Sequence, residues 1–167
     1  LIEGGSDLLM VETIFDSLNA KAALVAIQEV FEEDAVKMPI IVSAAVGRGG
    51  ETMISAQTSE ALWNAVAHAN PLAIGLNCPD LMKPFLEELS QAATTHISCY
   101  PNAGLPNPLS PTGFDMTPDD MNRWLAEFAN AGLLNLAGGC CGNTPEHVAA
   151  IAQAVRHAVP REVPTLC

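Results

Sequence analysis

Short apolar runs alternate along this chain with longer stretches of helical period, and the alternation repeats five times. The run Asp7 to Thr13 is brief and bounded like a buried strand, and from Asp16 to Glu33 the residues Leu24, Ile27 and Phe31 recur on one helical face. Pro39 to Val46 is continuous and partly β-branched, as expected of a strand covered on both faces. A glycine-rich loop, Gly47 to Gly50, leads to a helix over Thr58 to Ala69, with Leu62, Val66 and Ala69 on one side. The third unit pairs a strand, Leu72 to Cys78, with a helix over Asp80 to Thr94, where Leu81, Phe85 and Leu89 align. Pro84 falls in the first turns of that helix, where proline is tolerated.

The fourth strand is expected at His96 to Tyr100, ending at Pro101-Asn102-Ala103-Gly104. A proline-rich loop without regular period continues through Pro111. It closes at Thr117, an N-cap followed by Pro118 at the first helical position and by Asp119 and Asp120, acids that suit the positive helix end. Met121, Trp124, Leu125 and Phe128 form the buried stripe of that helix, and Gly132 stops it. The fifth unit is a strand over Leu133 to Gly139 and a helix from Pro145 to about Ala158, capped by Thr144.

Five β/α units with short connections define an α/β chain with a parallel sheet and crossover helices. Two closures fit: a doubly wound open sheet, or a (β/α)8 barrel with part missing. No Gly-x-Gly-x-x-Gly follows the first strand, and Gly47-Arg48-Gly49-Gly50 lacks the Lys-Ser/Thr of a phosphate-binding loop. Both observations weigh against a nucleotide-binding open sheet.

Composition narrows the function. With 167 residues, 49% of them apolar, the chain can build one core. Its net charge of −12, with no basic stripe, argues against nucleic-acid partners and anionic membrane surfaces. No apolar run approaches a membrane span, and no charged-then-apolar leader opens the sequence. Five unevenly spaced cysteines read as reduced thiols, so a cytoplasmic compartment is expected. The opening phrase, Leu1-Ile2-Glu3-Gly4-Gly5, looks like a helix end, as in a piece of a longer chain.

The residues with useful chemistry fall at the C-terminal ends of the expected strands: Glu12, Cys78, Asn102, Cys140 and Cys141. That end is where active sites assemble in parallel α/β folds. Cys78 and the pair Cys140-Cys141 lie too far apart for a local zinc knuckle, and could meet only if the third and fifth strands end near one another. Three thiolates would leave one zinc position open to an incoming thiol, which loses its proton on binding and stays nucleophilic. Packing and an adjacent-residue disulfide are the other readings of Cys140-Cys141. Cys99 reads as a core residue, Glu12 as a ligand-facing or loop carboxylate, and Asn102 as a site or turn residue. His68, His96, His147 and His157 occupy helical or strand-start positions with no catalytic setting, and Cys167 has no assigned role.

Four phrases together carry a resemblance: Asp7-Leu8-Leu9-Met10-Val11-Glu12-Thr13, Gly75-Leu76-Asn77-Cys78, Pro101-Asn102-Ala103-Gly104-Leu105-Pro106, and Gly138-Gly139-Cys140-Cys141-Gly142-Asn143-Thr144-Pro145-Glu146-His147. The chain resembles the zinc-dependent homocysteine S-methyltransferase family over essentially its whole length. Within that family it is most similar to the homocysteine-binding module of cobalamin-dependent methionine synthase. The resemblance implies the C-terminal portion of a (β/α)8 TIM barrel, strands four to eight, over residues 1–159, with 160–167 as a C-terminal linker. It implies zinc on Cys78, Cys140 and Cys141, the homocysteine amino group held by Glu12, and Asn102 at the open zinc position when substrate is absent.

The implied reaction moves a methyl group to the homocysteine thiol, giving methionine, with methylcobalamin held by another module. The missing barrel half and the folate and cobalamin modules are the implied partners, and the segment alone is expected to be inactive. Two departures stand out. Pro79-Asp80 shortens the loop after Cys78, as in stand-alone members that use S-methylmethionine or betaine, and Ala44-Ala45 replaces a more polar pair. A structural zinc module and a thiol-redox protein are the competing readings.

Overall fold

The computed structural model describes residues 1–47, 52–77 and 82–164. Cys78 and the Pro79-Asp80 junction lie outside the described residues, as do Arg48, Gly49, Gly50 and Cys167. Among the described residues five strands form one parallel sheet: β1 (Leu9–Ile14), β2 (Ile40–Ala45), β3 (Ala73–Asn77), β4 (His96–Tyr100) and β5 (Leu136–Ala137). Between and after them run α1 (Ser17–Glu33), α2 (Ser59–Val66), α3 (Lys83–Ala92), α4 (Pro118–Asn130) and α5 (Pro145–Val155).

Strand order in space is the order in sequence, β1-β2-β3-β4-β5. A doubly wound sheet reverses order at a switch point, whereas a barrel winds in one direction. Unidirectional order with right-handed crossovers puts every helix on one face of the sheet. Val42, Ala44, Ile74, Leu76, Ile97 and Cys99 point to that face and join helix residues such as Leu24, Leu62, Phe85, Leu89 and Leu125 in one core cluster.

The opposite face carries the alternate residues, which are small or polar: Ser43, Gly75, Asn77, Ser98 and Tyr100. Its curvature follows from one side chain. Asn77 on β3 reaches Thr13 on β1 across the intervening strand, with contacts of 2.6 and 3.0 Å. Two strand spacings amount to about 9.6 Å on a flat sheet, so this face is concave. Order and curvature together give half of a barrel wall, with the helices outside and the polar side chains within.

Local signals account for most element boundaries. Asp16 caps α1 by accepting from Leu18 N–H at 2.7 Å, and Thr58 caps α2 by accepting from Ala61 N–H at 3.2 Å. Thr117 and Asp120 form a reciprocal capping box at α4, with Pro118 at the first helical position. The helix expected to run to Ala69 leaves α geometry at Val66 and finishes as a 3₁₀ turn, Ala67–Ala69, ending at left-handed Asn70. The fifth strand is much shorter than its apolar run. Only Leu136 and Ala137 pair with β4 as strand, although Asn135 N–H and Gly138 N–H also bond to it, at 2.8 and 3.1 Å.

The segment after α5 is anchored at its start. Arg161 is buried and donates to Ser90 O, Ala93 O and Thr95 O at 2.8, 2.6 and 3.0 Å, satisfying carbonyls left open at the end of α3. Burial lowers the pKa of its guanidinium. No helix among the described residues is long and apolar enough to cross a membrane.

Candidate functional site

The C-terminal strand ends collect the chemistry. Past β5 the chain continues beside the extension of β4: Gly138 N–H donates to Cys99 O at 3.1 Å, Cys140 N–H to Pro101 O at 2.9 Å, and Ala103 N–H to Cys141 O at 2.9 Å. This ladder fixes the backbone of both cysteines. The glycines around them are steric necessities. A Cβ on Gly138 would stand 2.6 Å from the Tyr100 ring. Gly142 has φ +77°, and a Cβ there would meet the Phe114 ring at 2.4 Å.

The two sulfurs lie 3.8 Å apart with no disulfide between them, Cys140 partly buried and Cys141 exposed. Two thiolates at about 2.3 Å from one tetrahedral zinc are themselves about 3.8 Å apart. The pair therefore fits two corners of such a shell without rearrangement. Asn102 is joined to it directly, because Cys141 N–H donates to Asn102 Oδ1 at 3.1 Å. Asn143 closes the loop from below, donating to Pro101 O and Cys140 O at 2.9 and 3.2 Å.

His147 is buried and carries this loop's outer support. Its Nδ1 accepts from Thr144 N–H at 3.1 Å, so Nε2 bears the proton and donates to Met116 O at 2.9 Å. Both ring nitrogens are thus engaged in holding the loop.

Glu12 is exposed at the end of β1 and makes no hydrogen bond or ion pair among the described residues. Its placement follows from a bulge. Val11 pairs with Val42 and Ile14 with Ala44, so Glu12 and Thr13 together stand opposite Ser43. Thr13 has φ +58°, a conformation that costs a β-branched residue about 1–2 kcal/mol. It is held by Asn77, whose Oδ1 accepts from Thr13 N–H at 3.0 Å and from Ser43 Oγ–H at 2.9 Å. Asn77 Nδ2 donates to Thr13 Oγ1 at 2.6 Å and lies 4.0 Å from Cys140 Sγ.

Asn77 falls within the Gly75-Leu76-Asn77-Cys78 phrase, where no local pattern marks a role for it. The usable signal was a lone carboxamide ending an apolar strand, since a buried polar group must find partners. Those partners lie 64, 34 and 63 residues away, beyond any local pattern.

A unidirectionally wound parallel sheet, with thiols, a carboxylate and carboxamides gathered at its C-terminal rim, defines an enzyme-type (β/α) barrel portion. The family model described as Homocysteine S-methyltransferase matches residues 1–155, and the chain belongs to that family. The fold is similar to that of the homocysteine methyltransferase MmuM from Escherichia coli. The apo form matches with a TM-score of 0.64 and 22% identity over 92% of this chain and 51% of that one. The metallated form matches with a TM-score of 0.65 and 22% identity, over 92% of this chain and 46% of that one. The chain thus spans about half the length of these solved structures.

Proposed function

We propose that this chain holds zinc on Cys78, Cys140 and Cys141 and presents the thiol of homocysteine for methylation, giving methionine. The observation that carries the reading is the approach of Asn77, the residue before Cys78, to Cys140 Sγ at 4.0 Å. Support also comes from the zinc-compatible spacing of the Cys140 and Cys141 sulfurs.

Zinc on three thiolates would supply an open coordination position where a thiol loses its proton at neutral pH. Glu12, on the concave face beside Thr13, would take the substrate ammonium and so orient the homocysteine chain toward the cysteines. Asn102 would stabilise the Cys141 loop and stand at the open position before substrate arrives. The homocysteine sulfur lone pair forms the new S–C bond, while the donor keeps the electron pair of its bond to the methyl carbon.

For the donor we favour methylcobalamin carried by another module, on the strength of the Pro101-Asn102-Ala103-Gly104-Leu105-Pro106 phrase. The folate and cobalamin modules and the remaining barrel units would be its partners, with residues 1–159 as the barrel portion. A reduced Cys99 and the 3.8 Å separation of the Cys140 and Cys141 sulfurs fit a cytoplasmic setting. Metal analysis of the purified protein tests the reading. One zinc per chain, retained by wild type and lost from Cys141→Ser, is expected; a wild type that purifies without zinc and takes up none when zinc is supplied would contradict it.

A further inference from the structure

The concave face holds one side chain that touches both halves of the rim. Asn77 is fully buried, and its carboxamide oxygen and nitrogen are both engaged. On one side it grips Thr13 at backbone and hydroxyl, keeping a β-branched residue at φ +58° and so fixing the bulge that carries Glu12. On the other side it faces Cys140 Sγ. No other described side chain is bonded to both the first strand end and the cysteine loop.

We propose that Asn77 is a positioning residue that locks the β1 bulge, and with it Glu12, to the loop bearing Cys140, and so sets the span between the amine-binding carboxylate and the sulfur-binding thiols. The inference rests on the homocysteine reading above and adds to it the residue that enforces substrate length. Homocysteine must bridge from ammonium to sulfur, so the register of Glu12 against the cysteines decides whether both ends bind at once. Thr13 left alone would relax toward ordinary extended backbone and straighten the bulge. Glu12 and Thr13 could not then both face the concave side, since consecutive strand residues point to opposite faces.

The test compares two thiols on the zinc-loaded protein by calorimetry: homocysteine, and mercaptobutyrate, which has the same chain and carboxylate without the amino group. Asn77→Ala should lower the affinity for homocysteine about tenfold or more, within the range for groups that orient a metal site from behind. It should change the affinity for mercaptobutyrate by less than about twofold. Asn77→Asp keeps an acceptor for Thr13 N–H and should restore the wild-type ratio of the two affinities, whatever it does to their absolute values. Equal losses for both thiols, or no change in either, would overturn the proposal. If Asn77→Ala does not fold, Thr13→Val carries the test by removing only the Thr13 Oγ1 contact. The ratio should then fall about threefold, about half the effect of a net hydrogen bond on a logarithmic scale, and an unchanged ratio overturns the proposal. A wild-type protein that binds neither zinc nor either thiol would instead contradict the homocysteine reading itself.

Discussion

Cys99 and Cys140 belong to adjacent strand-and-loop segments, yet they occupy opposite chemical worlds. Cys99 points from β4 into the layer between sheet and helices, is wholly buried, and has a thiol pKa pushed up by that burial. Cys140 stands past β5 on the rim, with Cys141 Sγ 3.8 Å away and Asn77 Nδ2 at 4.0 Å. The same kind of atom is packing on the helix side of the sheet and stands beside a second thiol at the rim. What separates them is placement: Cys99 takes a helix-facing position in β4, whereas Cys140 lies in the loop beyond the C-terminal end of β5.

Cysteine substitutions should have the largest effects. Cys140→Ser should weaken zinc binding by on the order of 100-fold or more, read by competition with a chelator, because a thiolate ligand becomes a neutral hydroxyl. Cys99→Ala should leave zinc affinity unchanged. In the folded protein at mildly alkaline pH, Cys140 and Cys141 in the metal-free form should react with a thiol reagent while Cys99 does not.

The two faces should also differ in stability. Leu76→Ala, on the helix side, should cost about 2–5 kcal/mol in urea unfolding. Ser43→Ala, on the concave side, removes a single donor to Asn77 and should cost about 1 kcal/mol. If Ser43→Ala proved the costlier of the two, the assignment of the faces would be wrong.

The smallest effect lies away from both. Thr117→Ala removes the α4 cap and should cost about 1 kcal/mol. Hydrogen bonds from Thr117, aided by Arg123, hold the Asp120 carboxyl below its usual range. A depressed carboxylate stabilises the fold above its unfolded pKa, about 3.9, and that contribution fades as pH falls through the lower folded value. Asp120→Asn should therefore flatten the acid limb of the stability profile without altering zinc or thiol binding.

Much of this architecture was legible because its determinants are local. His96–Tyr100 is bounded by the residues its sequence pattern marks, and the Asp16, Thr58 and Thr117 caps fall where short polar side chains precede apolar stripes. The fifth strand was overextended because apolar content does not reveal how many neighbours an edge strand has. The bulge at Glu12-Thr13 was invisible, since it exists only in the register against β2 and in the grip of Asn77. Asn102 was nameable from its turn-forming phrase, but its bond to Cys141 N–H depends on two strand ends meeting. Chemistry at strand ends can be seen in sequence; the contacts that join one end to another cannot.

Zinc-edge X-ray absorption of the protein before and after adding homocysteine reaches the central claim most directly. Three sulfur neighbours are expected without substrate, and a fourth zinc–sulfur contact at about 2.3 Å once homocysteine is present. A shell already closed by four protein ligands, and unchanged on addition, would contradict it.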